Sequence, residues 1–508
     1  MKLLKNPVAL AVAGCVLFGT AFAAEDSRIV FTVNESKITH EVDMEMYGVG
    51  SEWVPNTNAH LVNYAQGSGI NMDFVNQMKE QGFSMEHFRM AGVSSTGFFW
   101  KNSLGSIHDR TEVNLGINSA VHSKPVFGVL EQAKIVEAFN PGKGTISYTV
   151  NLLHETPSSM ADLAEFYYGD GKKNYNGGIN WAQKRIRGGL PNPVRVSEWE
   201  MGNEYDGGMF SHQFINYKLY VQKCKEVIAA IKSVKEDAPI ALTNPLMIGW
   251  ENKWEYSMLK ELGNEAEYVV QHGYIVMDSA YLREETFINL GNFLDENFGK
   301  GRLRIVVTEN NAQGTLNLQE GGDSVGGSGW GACMYFGGGR GCADFLLRFW
   351  KNPSIAKTNL FATDDGTSYS MYYKDADGKY KLNAAALATA MFQKYGIGGV
   401  CESTLTGFEV GKASVISGGA VKTDDGINVI LTNNTNDTDH FVEFDFENKY
   451  TVVEKQIIRA KNSSAFDANY IGVEQIERKT EQVNDNKIVD GYNVPKATIV
   501  ALKLKEVQ

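Results

Sequence analysis

Apolar residues along the middle of the chain follow two alternating patterns. Short apolar runs predict eight buried strands, one near residues 44–48 and the others at Ser84–Met90, Thr145–Leu153, Val194–Met201, Ile240–Leu246, Ala266–Val270, Arg302–Thr308 and Thr358–Ala362. Helical spacing occurs between several of them, at Asn71–Gln81, Val126–Phe139, Gln213–Val234, Glu284–Asn297, Cys342–Trp350 and Leu382–Tyr395. This alternation predicts an α/β fold, a (β/α)8 or TIM barrel over residues 41–396.

The pattern changes after about Gly398. Short alternating segments separated by Asn, Asp and Gly turns predict an all-β sandwich over residues 397–508, with strands at Gly426–Asn433, Phe441–Phe446, Val452–Arg459 and Ala497–Leu504. An earlier strand at Arg28–Val33 precedes the barrel. Because an isolated strand needs an edge to pair with, residues 24–40 are predicted to join the same sandwich.

The first residues have the pattern of a secretory signal. Two lysines precede an apolar stretch over residues 8–18 and the small-residue site Ala21–Ala23, so residues 1–23 are predicted to be a signal peptide. The alternative is a lipoprotein signal in which Cys15 is lipidated. Both predict an exported protein, periplasmic or extracellular. No later apolar stretch is long enough to cross a bilayer, so we expect no transmembrane span in the mature chain.

Composition argues against several kinds of partner. The chain has 508 residues, a net charge of −12 and no long basic run, so no nucleic-acid partner is expected. A glycine run near Gly337 lacks the Lys-Ser or Lys-Thr of a phosphate-binding loop, and the cysteine spacing fits no zinc template, so no metal or other cofactor is implied. Cys333 and Cys342 flank that run; they form a disulfide or are buried free thiols.

Two glutamates, Glu204 and Glu309, each follow a short strand-like run. Active sites of (β/α)8 barrels lie at the C-terminal ends of the strands, where two carboxylates can cleave an acetal. Gly202 and Asn203 precede Glu204. A small residue lets a ligand approach the backbone, and an amide can bind a sugar hydroxyl beside the cleaved bond. The pair therefore predicts a retaining glycoside hydrolase.

Several stretches support this hypothesis, namely Tyr47–Glu52, Phe88–Gly92, Asn192–Glu204, His272–Tyr274 and Val307–Glu309. In this order they resemble the motifs of barrel strands one, two, four, six and seven in clan A glycoside hydrolases. The resemblance is closest to the family 51 α-L-arabinofuranosidases. The segment Val494–Val500 resembles a pattern often seen in the sandwich of that family, so the resemblance covers most of the predicted mature chain.

The resemblance implies a role for each candidate residue. Glu204 would be the general acid/base and Glu309 the nucleophile, with carboxyl groups about 5–5.5 Å apart, as retention requires. Sugar hydroxyls would be bound by Glu52, Asn203 and His272. Two further residues would orient Glu309 or lower its pKa, namely Arg89 and Tyr274.

The chain departs from the family pattern beside these residues. The family nucleophile is commonly followed by Trp, but here Asn310 and Asn311 follow Glu309, and Met90–Val93 replaces a Pro-Gly-Gly run. These positions shape the sugar subsite, so they affect the identity of the sugar more than the reaction type. In the glycine-rich loop 320–330, Trp330 either stacks on a sugar as part of a mobile lid or anchors a surface loop to the core.

Three functions compete at this stage. The first is an exported arabinofuranosidase that acts on side chains of a polysaccharide or on oligosaccharides. The second keeps the fold and mechanism in an endo-acting clan A glycanase, on a glucan, xylan or galactan of the agar type. The third is a carbohydrate-binding protein without catalysis. The presence of both glutamates argues against the third, because a binding protein does not need the pair.

Overall fold

The computed structural model describes residues 28–54, 58–66, 69–114, 122–205, 217–243, 253–275, 280–312, 335–363, 369–406, 409–410, 413–461 and 476–507. The predicted signal segment with Cys15 lies outside these residues, as do Cys333 and Trp330. The expectations about them therefore stay predictions. Within the described residues, no helix is both long and apolar enough to cross a lipid bilayer.

Eight parallel strands close into a barrel, which confirms the predicted fold class. After the N-terminal strand β1 (Ile29–Val42), the barrel strands are β2 (Gly48–Glu52), β3 (His87–Ala91), β4 (Thr145–Thr149), β5 (Arg195–Glu200), β6 (Ile240–Thr243), β7 (Tyr268–Ile275), β8 (Arg304–Ala312) and β9 (Ile355–Phe361). Leu360 of β9 lies opposite Val49 of β2, which closes the ring. The strands are apolar and buried because side chains inside the ring and helices outside it cover both faces.

The described helices that follow or flank these strands are α1 (Met72–Glu80), α2 (Val129–Phe139), α3 (Pro157–Tyr168), α4 (Trp181–Arg187), α5 (Tyr217–Lys232), α6 (Lys253–Leu262), α7 (Ala280–Phe298), α8 (Phe336–Trp350) and α9 (Ala384–Tyr395). Several begin where the sequence supplies a capping side chain. Asn71, Thr156, Asn180 and Asn383 each accept a hydrogen bond from a backbone amide in the first turn. Such caps satisfy amides that have no partner within the helix.

The first barrel strand begins later than predicted. Residues Met44–Tyr47 form a 3-10 turn, and the strand starts only at Gly48. The Asp43 carboxylate accepts a hydrogen bond from the amide of Glu45, which fixes the turn. The buried Met46 and Tyr47 produce the apolar pattern that resembles a strand. The local cap therefore overrides the hydrophobic pattern at this point.

A buried ionic cluster lies toward the N-terminal ends of the barrel strands. The ammonium of Lys357 lies 2.8 Å from a carboxylate oxygen of Glu45 and 2.9 Å from one of Glu198. His87 Nε2 is 4.0 Å from the other oxygen of Glu198. Burial works to raise the pKa of Glu45, but the charge of Lys357 lowers it to about 2. Lys357 thus balances two carboxylates inside the barrel.

The all-β region contains β1 and eight later strands, β10 (Gly398–Thr406), β11 (Ile416–Thr423), β12 (Gly426–Asn433), β13 (His440–Phe446), β14 (Tyr450–Ala460), β15 (Ile476–Gln482), β16 (Gly491–Val494) and β17 (Thr498–Glu506). Their hydrogen-bonded order is β15-β14-β17-β12-β11-β10-β1-β13-β16. Strand β1 pairs antiparallel with β10 and parallel with β13. The N-terminal strand therefore lies inside this sheet, between strands from the C-terminal part of the chain.

This sheet folds back on itself. Strands β13 and β14 are joined by a short turn, although five strands lie between them in the hydrogen-bonded order. The rings of Phe446 in β13 and Tyr450 in β14 lie 5.7 Å apart. Residues from both halves of the order, including Phe31, Val429 and Leu502, share one apolar core. The sheet therefore encloses its own core, separate from that of the barrel.

Helix α8 links the two regions. Its Arg340 is fully buried and donates to the carbonyl oxygens of Asn433 and Thr435 and to Oδ1 of Asn436. Asp344, one turn later, bonds Ser417 of β11. The glycine run near Gly337 is thus the first part of a helix that packs against the all-β region.

Candidate active site

Carboxylates, amides and an arginine converge at the C-terminal ends of the barrel strands. The sequence-predicted residues at this end are Glu52, Arg89, Asn203, Glu204, His272, Tyr274 and Glu309. The strand register places His272 of β7 opposite Glu309 of β8. Trp330, the remaining candidate, lies outside the described residues.

Arg89 forms the buried centre of the site. Its Nε and Nη2 lie 2.7 and 2.8 Å from the two carboxylate oxygens of Glu200, a bidentate ion pair. Its Nη1 donates to Oε1 of Glu309 at 2.9 Å. The guanidinium therefore neutralises two buried carboxylates that are poorly solvated by water.

Glu309 is held by two hydrogen-bond donors and lies beside an imidazole. Besides Arg89, Tyr274 donates its hydroxyl to Oε2 at 2.6 Å, and His272 Nδ1 lies 3.4 Å from the same oxygen. Burial works to raise the pKa of Glu309, but the charges of His272 and Arg89 and the Tyr274 hydrogen bond hold it below its usual value. Glu309 is therefore ionised near neutral pH, as a nucleophile must be.

Glu204 lies just beyond β5 on a constrained turn. Its φ is 49°, a left-handed conformation that is uncommon for residues other than glycine. Two residues earlier, Gly202 has φ 91°, and a Cβ there would lie 2.0 Å from the ring of Tyr205. The turn places Oε1 of Glu204 2.6 Å from His272 Nδ1. Backbone strain of this kind concentrates at functional sites.

His272 connects the two glutamates. Burial works to lower its pKa, but the negative charges of Glu309 and Glu204 raise it above the usual value. Its other nitrogen, Nε2, lies 3.1 Å from the hydroxyl of Thr308, which fixes the orientation of the ring. The two carboxylates therefore favour the protonated form of His272.

Asn203 and Glu52 complete the set. The amide oxygen of Asn203 accepts from Arg89 at 2.9 Å, while its Nδ2 is buried without a hydrogen-bond partner among the described residues. Glu52 Oε2 accepts from the amide of Ser94 at 3.1 Å, and the close approach of Gly92 leaves no room for a Cβ there. Burial raises the pKa of Glu52 to about 7, and the nearby negative charge of Glu309 adds to the effect.

Glu200 belongs to the site but is not among the residues that the sequence motifs indicate. It lies within the motif before Glu204, but its role appears only in the structure, where Arg89, Thr149 and Thr308 all bond its carboxylate. The sequence does contain a pattern that indicates a buried role for Glu200. Glu198 and Glu200 point to the same side of a buried strand, and buried carboxylates require cationic partners.

Asn311 replaces part of the family pattern after Glu309. Its amide donates to the carbonyl of Phe361 in β9, and its oxygen accepts from the amide of Ala312 at 2.7 Å. Asn310 leaves a buried Nδ2 without a partner in the described part of the chain. Asn311 therefore joins the ends of β8 and β9 by a side-chain hydrogen bond beside the nucleophile candidate.

The site also has atoms that could serve as metal ligands. One atom each of Glu204, His272 and Glu309 lies within 4.8 Å of the others. The Arg89 cation already bonds one oxygen of Glu309, and a second cation at short range would be repelled by it. The set therefore fits proton transfer and nucleophilic attack better than metal binding.

No protein-family model matches the chain. Two curated relatives match over 215 residues, 41% of this chain. One is an exo-α-(1→6)-L-arabinofuranosidase of Bifidobacterium longum, 23% identical. The other is an intracellular exo-α-(1→5)-L-arabinofuranosidase of Acetivibrio thermocellus, 25% identical. The matched region spans 38% and 39% of the length of these relatives.

Solved structures match over nearly the whole chain. A family 51 arabinofuranosidase from Xanthomonas axonopodis has a TM-score of 0.74 at 16% identity, covering 94% of this chain and 100% of its own. A family 51 enzyme from Bifidobacterium longum reaches 0.75 at 12% identity, covering 93% and 99%. A family 44 xyloglucanase from Paenibacillus polymyxa reaches 0.57 at 11% identity, covering 94% and 100%. In fold, the chain is therefore similar to the family 51 α-L-arabinofuranosidases of clan A, as the sequence motifs predict.

Proposed function

We propose that this protein is a retaining glycoside hydrolase that releases α-L-arabinofuranosyl residues from a polysaccharide or oligosaccharide. The observation that carries the proposal is the Glu204–Glu309 pair, whose nearest ligand oxygens lie within 4.8 Å. Retaining enzymes need carboxyl groups about 5–5.5 Å apart, whereas inverting enzymes need about 6.5–9.5 Å. The short separation of the pair therefore supports retention rather than inversion.

In the first step, Glu309 attacks the anomeric carbon while Glu204 donates a proton to the glycosidic oxygen. The bond to the leaving group breaks, and a glycosyl ester forms on Glu309. His272 supports this step because its Nδ1 shares a short hydrogen bond with Glu204. In the second step, Glu204 takes a proton from water, which attacks the same carbon. The ester breaks, and the sugar leaves with its original anomeric configuration.

Asn203 and Glu52 are suited to bind the sugar. The Nδ2 of Asn203 is a buried donor next to Glu204 and has no partner among the described residues, so a substrate hydroxyl can satisfy it. Glu52 with its pKa near 7 presents a mixture of donor and acceptor oxygens to a hydroxyl. These contacts favour a sugar ring seated directly over Glu309.

The nature of the sugar rests on the relatives. Both curated relatives are named as exo-acting arabinofuranosidases, which favours that substrate. The likeness to a xyloglucanase favours the second candidate, an endo-acting glycanase. The test is a screen of purified protein on aryl glycosides beside polymeric glycans, with the product anomers followed by NMR. Retained arabinofuranose is expected. Inverted product would overturn the mechanism, and turnover of polymers alone would favour the glycanase.

Glu204→Ala separates the two steps. We expect hydrolysis of natural substrates to slow by about 10²–10⁴-fold, the usual contribution of a general acid/base. Aryl glycosides with good leaving groups should react almost normally in the first step, because their departure needs no proton. Added azide should then restore the rate and give a glycosyl azide of retained configuration. A normal rate on natural substrate would show that Glu204 is not the acid/base.

Tyr274→Phe tests the tuning of the nucleophile. The Tyr274 hydrogen bond lowers the pKa of Glu309, so its loss raises that pKa. Only ionised Glu309 can attack, and activity falls as pH drops through its pKa. We expect the acidic limb of the pH profile of kcat/KM to move to higher pH in the variant. An unchanged limb, with the variant folded by circular dichroism, would contradict this role.

We also propose that the protein is exported, on the pattern of residues 1–23 alone. The name of one curated relative describes an intracellular enzyme, so the relatives lend no support to export. Cell fractionation and the N-terminal sequence of the mature protein test the proposal. A mature chain that begins at Ala24 supports a cleaved signal, and a lipidated Cys15 supports the alternative. An unprocessed cytoplasmic chain would contradict both.

A further inference from the structure

An open pocket of about 630 Å³ lies outside the candidate active site, within the size range of about 300–1,000 Å³ that small-ligand sites occupy. Its walls come from separate parts of the barrel. The residues that matter for its chemistry are Tyr64, Lys101, Lys134, Trp181, Lys184 and Arg187. They belong to the loop after β3, to α2, to α4 and to the segment between β2 and α1. Only the tertiary fold brings them together.

The pocket is positively charged on a chain whose net charge is −12. Four of its lining side chains are cations. Its one carboxylate, Glu131, forms an ion pair at 2.7 Å with Arg110, which does not line the pocket. Lys101 pairs with Asp162 at 2.6 Å. Lys184 and Arg187 are exposed and form no ion pair within the described part of the chain. The pocket therefore selects an anionic ligand.

Lys184 and Arg187 are three residues apart on α4, so they lie on the same face of the helix. Lys134 of α2 lies near the C-terminal end of α4. A Cβ added to Gly189, two residues after the last residue of α4, would be 3.6 Å from the Nζ of Lys134. An arginine and a lysine together suit a planar carboxylate, which the guanidinium can bind through two hydrogen bonds.

An aromatic side chain beside these cations has a fixed position. Trp181 packs edge-to-face on Trp100 at 4.9 Å, and its backbone amide donates to Glu165 at 3.0 Å. The Lys101 ammonium lies 4.9 Å from the Trp181 ring centre. The ring is only half-buried, so part of it faces the pocket. An aromatic face next to a cation fits a ring with an apolar side and a charged group, as in an acidic sugar.

One loop contributes to both the pocket and the candidate active site. Lys101 of the pocket belongs to the turn Trp100–Ser103 in the loop that follows β3. The same loop contains Ser94, whose amide bonds Glu52 in the candidate active site. The pocket is thus connected to the candidate active site through this loop.

We propose that this pocket binds a uronate residue of the polysaccharide from which the candidate active site removes sugars. The uronate carboxylate pairs with Lys184 and Arg187, and its ring packs on Trp181. This role as a second subsite rests on the proposed glycoside hydrolase function, but the binding itself does not require catalysis. The substrate class is thus narrowed to acidic polysaccharides.

Isothermal titration calorimetry of the intact protein with oligogalacturonate and with neutral arabino-oligosaccharide tests the binding. We expect Lys184→Ala/Arg187→Ala to weaken oligogalacturonate binding by roughly 3- to 30-fold, since two partly exposed ion pairs are lost. The control Lys143→Ala/Lys300→Ala removes the same charge from exposed sites elsewhere and should leave binding unchanged. Equal weakening in both variants would overturn the proposal, as would equally tight binding of polyglutamate, which would show attraction to any polyanion.

Kinetics separates this proposal from the proposed function. On a small aryl arabinofuranoside, Lys184→Ala/Arg187→Ala should keep the kcat and KM of the unmodified protein. On a uronate-bearing polymer, KM should rise with kcat unchanged. Absence of any turnover by the unmodified protein would count against the proposed function and leave the calorimetric result standing. Unchanged oligogalacturonate binding in the variant would overturn the pocket assignment even if the enzyme is active.

Discussion

Glu309→Ala is expected to reduce turnover by at least about 10⁴-fold on every substrate, because loss of a covalent nucleophile removes the first chemical step. Good leaving groups should not rescue it, in contrast to Glu204→Ala. Steady-state rates on an aryl arabinofuranoside measure the effect. The fold should persist, because alanine removes a carboxylate that is costly to bury and because Arg89 keeps its ion pair with Glu200.

Azide makes the assignment of roles testable in both directions. In Glu309→Ala, azide can occupy the space of the missing carboxylate and attack from the same side, which gives a glycosyl azide of inverted configuration. In Glu204→Ala the intermediate still forms, so the azide product retains configuration. The exposed Glu296→Ala serves as a control with unchanged rate. An inverted azide product from Glu204→Ala would mean that the two roles are exchanged.

Arg89→Met is expected to destabilise the fold by about 3–5 kcal/mol at neutral pH, the typical cost of removing one partner of a buried ion pair. The change leaves the carboxylates of Glu200 and Glu309 buried without their cation. Urea unfolding at pH 7 measures this loss of folding free energy. The deficit should shrink as pH falls below about 5, because the Glu309 carboxylate then binds a proton and loses the charge that is costly to bury.

A double variant distinguishes lost charge from lost packing. Adding Glu200→Gln to Arg89→Met removes one of the uncompensated charges, so part of the stability should return while activity stays low. Arg89→Lys keeps the charge but cannot form the bidentate pair, and intermediate stability is expected. Equal stability of Arg89→Met and the unmodified protein across the pH range would show that Arg89 does not stabilise the buried carboxylates of Glu200 and Glu309.

The sequence predicts much of the site because strand geometry is regular. His272 and Tyr274 are two residues apart on one strand, so both side chains point to the same side. In the structure His272 contacts both glutamates and Tyr274 contacts Glu309. Likewise, Glu204 and Glu309 follow apolar strands whose ends meet at one edge of the barrel. Local periodicity and the closure of parallel strands are sufficient to infer these placements.

Other features depend on residues that are distant in the sequence. The pairing of Arg89 with Glu200 joins two strands that are not neighbours in the barrel, and nothing in the local pattern of either indicates it. The turn at Met44–Tyr47 has the apolar pattern of a strand, and the Asp43 cap decides its conformation. At this turn the energy of a specific hydrogen bond outweighs what periodicity indicates.

The alternation of strands and helices, the all-β region and the strand-end positions of the two glutamates can be predicted from the sequence, since each follows from side-chain spacing within one element. The charge state around those glutamates and the existence of the cationic pocket depend instead on how the elements pack together. Burial and the charges of neighbouring groups set the pKa of Glu309, and the pocket joins Lys101, Lys134 and Lys184 from three separate elements. Distances between elements, and the dielectric environment they create, become defined only when the chain folds.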